Sequence, residues 1–207
     1  MKNLLKITFG LFLISIVFMS CDKTTTSTKN YIKYNDKEYD LSKGIIFPGD
    51  FAKEKAASAG ETLGNPISLL LLSSGFTIYE VDGSVDSISG TGSGIVFETY
   101  SGSSDKIDDG EYVFDSTSLA KLGTFSYADA VFDYNSATEV GTEVEMNAGT
   151  LTVKKTGEDY EFTFSCKTYD GKTVTGYYKG SIKSYMTAPN KTTKTNIQHV
   201  FGVDFIR

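Results

Sequence analysis

Few residues in this chain have the type and spacing to do chemistry. The one histidine, His199, stands near the C-terminus, away from any serine or cysteine in the setting a hydrolase triad needs. The two cysteines, Cys21 and Cys166, show no metal-ligand spacing, and no histidine lies near Cys166 in sequence. A pair of carboxylates can hydrolyse a glycoside without histidine. Here, however, the acids concentrate in "SDKIDDGE", "TGEDYE" and "TEVGTEVE", which read as solvated turns. Asp105, Asp108 and Asp109 offer loop oxygens of the kind calcium takes, but without the acid alternation of a calcium loop. The glycine-rich "GTGSG" (Gly90 to Gly94) opens onto a strand with no helix and no P-loop lysine, and reads as a flexible turn. The residues thus assign no catalytic group, no metal and no cofactor. What remains are Tyr177 and Tyr185, placed by parity on the wet face of a closing strand. Tyrosine rings there can stack on sugars or fill a protein interface.

The elements that carry these residues begin with a leader. Lys2 and Lys6 precede a 12-residue apolar run, Thr8 to Met19, which Ser20 closes before Cys21. Those are the three parts of a secretory signal. As a helix the run would span about 18 Å, short of a hydrocarbon core of about 30 Å. The closing "VFMSC" resembles a bacterial lipobox, with Ser20 and Cys21 in place and Phe18 where an aliphatic residue is usual. The resemblance implies cleavage before Cys21 and acylation of its sulfur. Two or more chains, at about 0.8 kcal/mol per buried methylene, give stable anchoring. "DKTTTSTKN" is then a polar tether, too poor in apolar residues to pack. Cys166 is left as a lone thiol, a small buried hydrophobe by its strand parity. The formal net charge is -6, and -8 once residues 1–20 are gone. Nucleic-acid recognition needs a positive footprint, so that class is excluded.

From Asn30 the chain reads as strands and turns. Asn35-Asp36 separates two alternating runs, a hairpin signal. "GIIF", "ISLLLLSSGFTIYEV", "GIVFETY", "GEYVFD", "GTFSYADAVFDY" and "GTLTVKK" read as strand. A stretch of helix-like composition around Ala52 to Ala59 interrupts them as an exposed loop or short helix. In "YEFTFSCK" the apolar positions 160, 162, 164 and 166 alternate with polar ones, as a strand with one wet face requires. A three-residue loop at Tyr169-Asp170-Gly171, with Gly171 left-handed, sets the pairing that follows. It places Cys166 opposite Val174, Phe164 opposite Gly176, Phe162 opposite Tyr178 and Tyr160 opposite Gly180, with rings covering the two glycines. A two-residue Asp-Gly turn would instead set Phe164 against Tyr177 and Phe162 against Lys179. The fold class expected is all-β, an antiparallel β-sandwich or flattened barrel built from a meander of about 9–10 strands.

Two segments also carry a family resemblance. "GTLTVKKTGEDYEFTFSCKTYDGKTVTGYYKGSI" and "GTGSGIVFETYSGSSDKIDDGEYVFDS" resemble small cell-envelope lipoproteins of Bacteroidetes. The shared pattern consists of structural glycines and aromatics over roughly residues 30–185; the Ala/Lys/Glu-rich insertion at 52–63 and the tail from Met186 depart from it. The resemblance implies an all-β fold and carries no catalytic residue across. The organisation expected is a signal at 1–20, a tether at 21–29, an all-β domain at 30–185, and a polar linker with an apolar C-terminal segment at 186–207. That last segment groups Ile197, Val200, Phe201, Val203, Phe205 and Ile206, and reads as a final strand docking back, with a partner-binding segment or a disordered end as the alternatives.

The expected function is a lipid-anchored envelope module that is not an enzyme. It would bind a protein or glycan partner or play a structural part. A lipocalin-like carrier of a small ligand and a carboxylate-based glycan hydrolase are the alternatives. The expected location is the outer membrane. The single acid after Cys21, Asp22, favours the periplasm-facing side over the cell surface.

Overall fold

The computed structural model describes residues 29–49, 62–117 and 119–185. Cys21, the tether, the Ala52–Ala59 stretch, His199 and the C-terminal segment lie outside the described residues. Among the described residues eleven strands run in chain order. They are β1 (Tyr31–Tyr34), β2 (Lys37–Asp40), β3 (Lys43–Pro48), β4 (Asn65–Leu72), β5 (Phe76–Val81) and β6 (Ser84–Ser101). Then come β7 (Gly110–Phe114), β8 (Thr124–Asn135), β9 (Val140–Thr156), β10 (Asp159–Thr168) and β11 (Thr173–Ser184). The fold is all-β, as expected, and its centre is a closed barrel of eight strands.

Closure depends on pairings that no local sequence signal announces. β3, β4, β6, β8, β9, β10 and β11 pair antiparallel in turn. The end of β11 then meets β3 in parallel, Ile182 beside Gly44, and seals the ring. Short β7 wedges between β8 and β9, parallel to the first and antiparallel to the second. The barrel is therefore not a simple meander.

The β10–β11 pairing has the register the turn dictates: Cys166 faces Val174, Phe164 faces Gly176, Phe162 faces Tyr178 and Tyr160 faces Gly180. Gly171 has φ +79, and the Thr168 N–H donates to the Lys172 carbonyl at 3.0 Å. A Cβ on Gly176 would lie 2.7 Å from two ring carbons of Phe164, so that ring does cover the glycine. Gly180 differs, because the ring nearest to it belongs to Tyr178. Tyr160 instead stacks on Phe162 with ring centroids 5.6 Å apart.

Alternation sends one face of each strand into the barrel. Phe97 meets Phe125 and Phe164 there, each at 5.4 Å between centroids, and Leu69, Leu151, Phe162 and Cys166 complete the packing. An eight-stranded barrel is just wide enough for side chains to fill it, and these fill it. The β1–β2 hairpin turns on Asn35 and Asp36, both at positive φ. It crosses one mouth from β11 to β8. Tyr34 and Tyr39 pack on Phe132, and Lys37 pairs with Asp133 at 2.7 Å. At another end Ile107 is buried, and Tyr112 donates to the Asp108 carbonyl at 3.0 Å.

A second apolar layer sits outside the barrel. Ile45, Phe47, Leu70, Leu72, Val96 and Val131 point outward and are covered by Phe76, Val85 and Ile88 of the β5–β6 hairpin. Strands buried on both faces need continuous apolar runs rather than alternation. "GIIF" and "LLLL" are such runs, in β3 and β4. "GTGSG" is not the flexible turn expected. It lies inside 18-residue β6, where the strand passes from its hairpin with β5 to the barrel wall. Glycine fits because side chains close in on the strand there: a Cβ on Gly92 would meet the Ser73 hydroxyl at 2.5 Å and the Phe76 ring at 2.9 Å.

Candidate functional site

With the interior occupied by packed side chains, the candidate chemistry lies on the outward faces of the barrel. The chemistry on them concentrates around one side chain. In "SYADAVFDY", Ala128, Ala130 and Phe132 point inward, which sends Tyr127, Asp129 and Val131 outward along β8. Asp129 is only 1% exposed, and neither carboxylate oxygen has a hydrogen-bond partner. Its strand neighbours are Val96 on β6 and Glu145 on β9, and Glu143 stands diagonally across, opposite Val131.

A buried carboxylate with no donor is costly, and such a group moves toward its neutral form. Asp129 is pushed up to about 9, first by burial and then by the charge and hydrogen bonding of Glu143. The Ala130 N–H opposes that shift and Glu145 adds to it. The two observations fit one state. As a carboxylate Asp129 finds no side-chain donor, whereas as a carboxylic acid it can donate to Glu143. Tyr127, also half-buried, is held as the neutral phenol by burial and by Asp129, Glu145, Glu143 and Glu98.

This arrangement does not favour glycoside hydrolysis. That reaction needs two carboxyls separated by about 5–9.5 Å with a sugar between them, and Asp129, 1% exposed, is closed off from a sugar. The acids of "TEVGTEVE" are also placed differently from expectation: Glu143 and Glu145 lie within strand β9, not in a turn. Asp129 carried one signal in the sequence, an acid at an outward position among apolar residues. Its significance depends on strands β6 and β9, which are distant in the chain.

The other candidates separate clearly. Tyr177 is half-buried on the outer face of β11, between Thr163 and Tyr31, and its hydroxyl is shifted up by burial and by Glu161. Tyr185 shares that parity but is not exposed. Its ring stacks on Phe47 at 5.6 Å, and its hydroxyl donates to Glu80 at 2.6 Å. The outer face is dry there because β5 and β6 lie over it, so the two tyrosines do not form one surface. Cys166 is fully buried, and burial pushes its thiol up to about 12, the inert form.

Asp108, in the loop considered for calcium, accepts from the Ser103 N–H at 2.8 Å and the Ser103 hydroxyl at 2.7 Å. Its oxygens thus close the loop on itself. Among the described residues no three His, Cys, Asp or Glu side chains converge on a metal position. An open cleft of about 360 Å³ beside this loop is lined by Lys106, Asp108, Asp109 and Lys155. No protein-family model, curated protein or solved structure matches the chain.

Proposed function

We propose that this chain is a lipid-anchored module of the cell envelope that works by binding and not by catalysis. Cys21 would be its acylated N-terminus, residues 22–29 its tether and the barrel its body. The observation that carries this reading is the filled interior. Phe97, Phe125, Phe162 and Phe164 occupy the space a lipocalin-like carrier would leave for its ligand. The hairpin from Tyr31 to Asp40 lies across a mouth such a ligand would use. Contact with a protein or glycan partner then falls to the outside, where Tyr177 and Tyr31 line one face and the acids around Asp129 another. The apolar run, Ser20 and Cys21 support export and anchoring, and Asp22 supports a periplasm-facing position at the outer membrane.

The test is chemical cross-linking of the full-length lipidated protein in its native envelope, followed by purification and native mass spectrometry. A specific cross-linked protein or glycan is expected. A monomer that carries only a small apolar molecule would overturn the reading in favour of a carrier.

A further inference from the structure

Asp129 is the only acidic or basic side chain among the buried polar residues of the described chain. Elsewhere on the surface several acids are matched with bases. Lys37 meets Asp133 at 2.7 Å, Lys172 meets Asp170 at 2.8 Å and Lys183 meets Glu80 at 2.5 Å. Around Asp129 the pattern is reversed. It faces Glu145 directly and Glu143 diagonally on β9, and both add negative potential at its carboxyl. No described base pairs with Glu143 or Glu145. The β8–β9 ladder at this point is also short. It pairs Asp129 to Phe132 with Thr142 to Glu145 and then shifts register before Asn135. Below it, β7 takes over the edge of β9.

We propose that Asp129 and Glu143 hold one proton between them, Asp129 donating and Glu143 accepting, and that this shared proton latches β8 to β9. The physical reason is that no other described side chain donates to the buried carboxyl, and both acids that face it from β9, Glu143 and Glu145, disfavour its charge. Loss of the proton leaves a buried, unpartnered anion beside two further carboxylates. Parting β8 from β9 to admit water is then the nearest relief. The latch holds at neutral pH and releases in alkali.

The sign follows from linkage. The folded state keeps the Asp129 proton above the pH at which the unfolded chain loses it. The stabilisation is therefore complete below the ordinary carboxyl range and is lost as pH rises toward about 9. This inference does not depend on the proposed function.

The experiment is a pH titration of the full-length chain, reading the Asp129 side-chain carboxyl carbon by NMR, with amide exchange along β8 and β9 in parallel. In the unaltered chain Asp129 is expected to titrate above pH 7. Glu143→Gln, an exposed change that removes the neighbouring charge, should lower that midpoint by at least one pH unit. Asp129→Asn keeps a donor toward Glu143 at every pH. At pH 9.5 its β8 and β9 amides should exchange at least tenfold more slowly than those of the unaltered chain. A midpoint near the ordinary carboxylate value of about 4, a midpoint that Glu143→Gln leaves in place, or equal exchange in Asp129→Asn would each overturn the proposal.

Discussion

Adding one methyl group at Gly176 tests the packing of the barrel wall more sharply than removing a large side chain. In an ordinary strand, replacing glycine with alanine gains about 0.5–1 kcal/mol, because the unfolded chain loses freedom. At Gly176 the new carbon would stand 2.7 Å from both Cε atoms of Phe164, well inside the contact distance of about 3.5–4.0 Å. Phe164 cannot swing away, since its ring is 2% exposed and set edge-on against Phe97 at 5.4 Å. Gly176→Ala should therefore cost about 1–3 kcal/mol, the range for overpacking. Phe164→Leu removes the ring atoms that make the clash and costs about 1–1.5 kcal/mol on its own. In that background the same alanine should cost nothing or stabilise slightly. The interaction energy is then about 2 kcal/mol, far above the 0.3–0.5 kcal/mol scatter of independent sites. Urea denaturation followed by circular dichroism would give all four corners of the cycle, with the slope m held constant as the check on two-state behaviour. Additive effects would refute the reasoning, because they would mean that Phe164 does not lie over Gly176.

Further outcomes follow from the same structure. Tyr185→Phe deletes only the hydroxyl that binds Glu80 and should cost about 1 kcal/mol. Tyr185→Ala also empties the site against Phe47 and should cost about 3–5 kcal/mol in thermal or urea unfolding. Asp170 is held down to about 2 by Lys172 and by the Thr168 hydroxyl. Its contribution is thus present above the ordinary carboxyl range and lost as pH falls toward 2, and an NMR titration of its carboxyl carbon checks this. The Cys166 thiol should not react with a water-soluble disulfide reagent at pH 8 until urea unfolds the barrel, since burial both covers it and raises it to about 12. Prompt labelling of the folded protein would contradict that packing.

Local features of the fold were legible in the sequence because short-range chemistry sets them. The alternation from Tyr160 to Cys166 and the Asp170-Gly171 turn determine the β10–β11 register, and Asn35-Asp36 determines the first hairpin. Closure of the barrel was not legible. Ile182 meets Gly44 across most of the chain, and nothing in either segment marks the other as its parallel partner. The second apolar layer explains three departures together. Once the β5–β6 hairpin folds over β3 and β4, "GTGSG" must be strand, Tyr185 must be dry, and apolar runs no longer alternate. Parity placed Tyr177 and Tyr185 on one face correctly, but which part of that face is wet depends on this hairpin. Asp129 was overlooked for the same reason: its environment is assembled from β6, β8 and β9, and an acid between two alanines announces none of it.

The central claim is a filled barrel held to a membrane by one modified sulfur. Intact mass spectrometry of the protein purified from its native membrane, with sequencing of the N-terminal peptide, tests it most directly. The account predicts a chain that begins at Cys21 and carries diacylglycerol on that sulfur, with Cys21→Ser abolishing the modification. A chain that still begins at Met1, or an unmodified Cys21 thiol, would contradict it.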